Sequence, residues 1–268
     1  MTTLPTRVAA PAAPPLAVRA RDLLTCEWIK LSSIRSTYLI MLITVVTALG
    51  LSGMNAAVNS SMATGRPQTD PLLPTFIGLP YAALAAGLLG ILAFGSEHGT
   101  GLIRTTFAAV PRRRAVLAAK AAIIGAVCLA IGEALAFASF FLVQAILSRH
   151  HHGVSLSHPG VPGAVLAEGT ILCVCALLGT GLGAIIRHTA GSVAALFGLL
   201  ALPAVLLTLP APWNDRIGRF TLPFAAEQVV VQHPRPSLFT PAMSMLILLA
   251  WPAAVLTGAA VLITRRDT

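Results

Sequence analysis

Few side chains in this sequence could do covalent or redox chemistry, and their spacing argues against it. The lysines are Lys30, after Ile29, and Lys120, after Ala119. A phosphate-binding loop needs its lysine directly after glycine, in G-x-x-x-x-G-K-[ST], so neither fits. H-E-x-x-H, G-x-S-x-G and C-x-x-C are also missing from the sequence, which leaves little footing for an intramembrane enzyme. His150, His151 and His152 are consecutive and cannot all face one ion, so with His158 they read as a solvated loop and no metal site is expected. Cys173 and Cys175 lie about 200° apart on a helix and read as packing residues. What remains is a pair of carboxyls in apolar runs. Glu133 has Phe137, Phe140 and Gln144 on roughly its own helical face. A carboxyl in hydrocarbon is costly unless it is neutral, paired or facing a cavity. Two readings of Glu133 therefore stand: a place in a membrane pathway or dimer interface, or a neutral group hydrogen-bonded inside a bundle. Glu168 lies nearer the end of its run and is placed to snorkel toward the interface.

The elements that position these groups are dictated by solvent. Of 268 residues 56% are hydrophobic and 10% charged, with mean hydropathy +0.83, whereas a soluble domain carries about 25% charged residues. A helix needs about 20 apolar residues to cross the bilayer. Six runs meet that length, at about 38–58, 75–94, 116–147, 161–186, 189–209 and 241–263. The expected fold is thus an all-α membrane protein with six transmembrane helices in one domain, 21–268, behind a disordered, proline-bearing tail at 1–20. No cleavable signal peptide is expected. The third run would extend about 48 Å as one helix, so its first turns, including Lys120, should project from the bilayer. Gly179 and Gly183 form G-x-x-x-G, and Ala82, Ala86 and Gly90 repeat small residues, a pattern for close helix packing within one chain or between two. The net charge of +9 suits lipid headgroups and topology better than nucleic acid. Thirteen of eighteen basic residues fall on one set of alternating segments. That set places both termini and the segment between the second and third runs in the cytoplasm. The other side receives the loops near 59–74, 148–160 and 210–240, the last with a short amphipathic helix at 224–232.

Two segments beside the spans are too patterned for plain loops. In 21–36, Leu24, Trp28, Leu31 and Ile34 recur at helical spacing, which predicts an interfacial helix over 21–35. In GSEHGTGLIRTTFAAVPRRRAVLAAK (95–120), Thr100 can cap a short helix bearing Leu102, Ile103, Thr106 and Phe107, and Pro111 stops it. Apolar side chains on a cytoplasmic helix suit a protein partner.

With EWIKLSSIRS (27–36), the 96–120 block, RHTAG (187–191) and RRDT (265–268), the chain after residue 20 resembles the permease subunits of bacterial ABC-2 type transporters, particularly actinobacterial ones. The resemblance matches the family's coupling segment at Glu97, Gly99, Thr100, Arg104, Thr105, Thr106, Pro111 and Arg112. It implies a cytoplasmic coupling helix, with Ile103 and Phe107 on its apolar face, docked to a separate ATP-binding cassette ATPase. It further implies a second permease copy or a related permease, ATP and Mg bound by the partner ATPase with no cofactor in this chain, and a multi-pass place in the bacterial cytoplasmic membrane. Export of an unidentified substrate follows from the same resemblance. The competing reading is a membrane scaffold or immunity protein that binds a peptide or lipid partner without transport.

Overall fold

The computed structural model describes residues 19–62, 72, 75–99, 101–102, 105–106, 110, 112–149, 153–206, 208, 210–231 and 239–265. Regular structure among these is helical: α1 (Ala20–Ser33), α2 (Arg35–Met62), α3 (Leu79–Gly99), α4 (Arg113–Ser148), α5 (Val161–Ile186), α6 (Thr189–Leu206), α7 (Ala211–Gly218), α8 (Leu222–Val230) and α9 (Pro241–Arg265). Five of them are long and apolar enough to cross a membrane: α2, α3, α4, α5 and α9. The chain has the build of an all-helical, multi-pass membrane protein. The run expected at 189–209 forms α6, an apolar helix of 18 residues that is shorter than the other five.

A helix forms over the segment expected at 21–35, with most of its apolar stripe turned outward and its polar face toward the bundle. Glu27 and Leu31 are buried, while Leu24, Trp28 and Ile34 are exposed. The chain then breaks at Ile34, which is extended (φ −93°, ψ 122°). Ser32 and Ser33 both donate their hydroxyls to the Ile29 carbonyl, at 3.2 and 2.6 Å, in the local competition with helical bonding that serine offers. Tyr38 secures the corner by donating to the Ser32 carbonyl at 2.8 Å. The second run starts later than expected, at Leu79, because Thr75 and Leu79 close successive turns onto Leu72 and Phe76. Gly78 there lies so close to the α2 backbone that a Cβ would overlap the Ala48 carbonyl.

Helix α5 is the centre of the bundle. About 67% of its most apolar window is buried, against 28% for α2 and 22% for α9, so the latter two turn broad apolar faces outward. The small-residue pattern is spent inside the chain, where α3 and α5 cross backbone to backbone. A Cβ at Gly179 would overlap the Gly87 carbonyl, and one at Gly183 would lie 2.9 Å from the Ile91 carbonyl oxygen. Close backbone approach of this kind replaces the hydrophobic drive that lipid removes. The α5–α6 turn is only Arg187 and His188, with Arg187 left-handed (φ 58°). The short helix expected at 224–232 forms as α8, which buries Leu222, Phe224, Ala225 and Val230 against the bundle.

Candidate functional site

Both lysines of the chain meet two of its glutamates in one cluster. Glu27 and Lys30 are a turn apart on α1, Glu97 lies in the last turn of α3, and Lys120 sits two turns into α4. The Lys120 Nζ donates to Glu27 Oε2 at 2.5 Å and to Glu97 Oε1 at 2.9 Å. Lys30 Nζ donates to Glu27 Oε1 at 2.8 Å and to the same Glu97 oxygen at 2.9 Å. The side chains of Lys120, Glu27 and Glu97 are 4, 5 and 6% exposed, and that of Lys30 is 21% exposed. Two cations facing two anions leave the cluster neutral, which is what permits its burial. The Phe94 ring lies under Lys120, 5.2 Å from Nζ to centroid. Burial works against the Lys30 ammonium, but the hydrogen bonds and charges of Glu27 and Glu97 outweigh it and raise its pKa above the ordinary 10.5.

Beside the cluster lies a cavity of about 280 Å³. Leu31 and Ile34 of the α1 end, Ile40 of α2, Leu89 of α3 and Ile124 of α4 wall it, and Leu102 reaches it from the segment that joins α3 to α4. The second oxygen of Glu97, Oε2, is buried and has no hydrogen-bond partner among the described residues. The arrangement is therefore a clamp between α1 and the two helices that flank the 100–112 segment. The chain matches none of the protein-family models and none of the curated proteins with which it was compared. Its functional reading accordingly rests on geometry.

Lys120 was expected in turns projecting from the bilayer. Those turns are present, since α4 begins at Arg113, but α1 covers them and Lys120 is buried at 3% exposure. Of the residues expected to couple to an ATPase, Glu97 belongs to the clamp, Gly99 is exposed, and Thr106 donates its hydroxyl to the Leu102 carbonyl at 3.0 Å. Arg112 is exposed at the start of α4, and its neighbour Arg113 donates to the Ile263 carbonyl of α9 at 3.2 Å. Thr100, Ile103, Arg104, Phe107 and Pro111 lie outside the described residues, as do residues 1–18 and His150–His152.

The second expected group is spread along α4. Glu133 packs on α5 at Gly169, where a Cβ would lie 2.6 Å from the Glu133 Cδ. Thr170 donates to one of its oxygens at 3.4 Å, and the other has no partner among the described residues. Phe137 is half-buried against the core, and Phe140 is buried in edge contact with Phe141. Gln144, eleven residues and about 16 Å along the helix from Glu133, donates to the Thr75 hydroxyl at 3.3 Å and accepts the Val154 N–H at 2.7 Å. It anchors two loops at the far end of α4. Glu168 does not snorkel; it is 4% exposed.

Sequence reasoning missed Glu27 and the convergence of both lysines. One signal was available: in a chain of sixteen arginines, the two positions that keep lysine sit beside apolar turns. A lysine is the more compact cation, with three donors to share among carboxylates.

Proposed function

We propose that this chain is the membrane subunit of an ATP-binding cassette exporter, with a separate ATPase docking on the segment that joins α3 to α4. In this reading α6 is a sixth crossing, both termini are cytoplasmic, and a second permease completes the pathway. The observation that carries it is the buried clamp of Glu27, Lys30, Glu97 and Lys120. It ties α1 to the two helices from which the docking segment hangs, so a push on that segment moves three elements together.

The energetics favour rigid transmission. Removing one partner from a buried ion pair costs about 3–5 kcal/mol, so the clamp moves as a unit before it opens. α1 then acts as a lever in the interface, with Trp28 and Leu24 turned outward where aromatic and apolar side chains seat at the headgroups. The break at Ile34 lets α1 change its angle to α2 without unwinding either helix. ATP and Mg would be held by the partner, and this chain's residues would only receive its motion.

The test is purification of the tagged chain from its native host, with any co-purified ATPase identified by mass spectrometry. Ile103→Asp with Phe107→Asp should abolish recovery of the ATPase while the permease still inserts and elutes as a single species. Undiminished recovery would remove the docking role from the segment. Absence of any ATPase among co-purified proteins would instead favour a scaffold that does not transport.

A further inference from the structure

At the end of α3 opposite the clamp, a cavity of about 620 Å³ opens between α3, α5, α6 and α8. Its size lies within the roughly 300–1,000 Å³ of small-molecule sites. The walls are apolar, and Phe76, Tyr81 and Phe197 contribute aromatic rings. Glu168 faces this space from α5. It is 4% exposed, and its carboxyl makes no hydrogen bond or ion pair among the described residues. Glu227 adds a second carboxyl in the α8 wall, and no lysine, arginine or histidine is among the described residues that line the cavity. That pattern inverts the rest of a chain with 18 basic and 9 acidic residues.

Each class of occupant meets these walls differently. A lipid tail would fill the space and leave the Glu168 carboxyl unsatisfied, at the cost that attends any buried polar group. An anion would find no basic side chain among the described lining residues to pair with. A cation on an apolar body satisfies every feature: the charge pairs with Glu168, the rings attract it through their faces, and the body removes the walls from solvent. We propose that this cavity is a binding site for small lipophilic cations, with Glu168 as the counter-ion. Binding itself does not depend on the export reading; if that reading holds, the site names the class of substrate.

The experiment uses the full chain in phosphatidylglycerol nanodiscs, which offer no cationic headgroup, and no ATPase. The probes are radiolabelled tetraphenylphosphonium and tetraphenylborate, alike in shape and opposite in charge. Ala201→Trp, which fills the cavity, serves as the blank for partition into lipid. Wild type should bind the cation saturably above that blank and show no saturable uptake of the anion. Glu168→Gln should weaken cation binding by about tenfold to a hundredfold, the worth of one charge-assisted contact, while Glu168→Asp keeps most of it. Each variant is read only from the monodisperse fraction. Absence of saturable cation binding in wild type, equal binding of both ions, or equal loss in the Gln and Asp variants overturns the assignment. Because the ATPase is left out here, and no cation enters the co-purification test, either idea can fail alone.

Discussion

Lys120→Met keeps much of the side chain's length and removes its charge. In the structure that ammonium bridges Glu27 and Glu97 at 2.5 and 2.9 Å, with 4% of its side chain exposed. Without it two buried carboxylates share Lys30 alone, and the cluster changes from neutral to one net negative charge. The expected loss is about 3–5 kcal/mol. At about 2–4 °C per kcal/mol for a large domain, the midpoint of heat-induced aggregation should fall by about 6–20 °C. Lys30→Met removes bonds to the same carboxylates, but that side chain is 21% exposed, so water can replace it and the loss should be nearer 1 kcal/mol. Lys120→Met with Glu97→Gln restores neutrality and should recover most of the lost stability. The assay is fluorescence-detected size exclusion of detergent-solubilised protein after a series of heating steps. A Lys120→Met midpoint within about 2 °C of wild type would refute the clamp. So would equal effects of the two lysine variants, or a double variant no better than Lys120→Met.

Gly179→Ala should lower the yield of folded monomer, at a cost of about 1–3 kcal/mol, because its Cβ would overlap the Gly87 carbonyl; an unchanged melting midpoint would contradict the α3–α5 crossing. Glu133→Gln should leave complex yield intact, and a loss of transport at normal yield would put the carboxyl in the cycle. Glu133→Ala should lower yield by leaving a void against α5, while the Thr170 hydroxyl keeps its bond to the Leu166 carbonyl. The raised Lys30 pKa means that its stabilisation is complete below pH 10.5 and is lost as pH climbs through the higher folded value. The midpoint difference between wild type and Lys30→Met should therefore stay constant from neutral pH to about 10 and close only above it. Reporter fusions at Thr268 and near His152 should report opposite sides of the membrane; the same side for both would mean a miscounted crossing.

Most of the helical plan was legible because lipid imposes a simple rule on run length. The runs at 116–147, 161–186 and 241–263 agree with α4, α5 and α9 to within a few residues. The start of α3 was not legible, since the turn at Thr75–Gly78 is set by packing against α2 rather than by hydropathy. The partner of the small-residue motif on α5 was not legible either, because spacing alone does not choose between a neighbour in the chain and a second copy. The contacts of α1 with the bundle were not legible for a physical reason. Apolar spacing picks the stripe that lipid favours, whereas α1 is held by the polar face that carries Glu27 and Lys30. For the same reason Glu97 could be singled out by resemblance, yet its connection to Lys120 across 23 residues needed the folded chain.

The concentration of both lysines in one buried cluster also sets how the protein meets reagents. Apart from a terminal amine, the sequence offers amine-directed chemistry no target outside that cluster. Acylating reagents, lysine-specific proteases and surface-coupling esters should therefore find the folded molecule nearly inert, with Lys30 reacting slowly at its exposed edge and Lys120 not at all. Label that does appear on Lys120, read by mass spectrometry against time, would be a direct clock for the opening of the clamp, with no engineered probe in the chain.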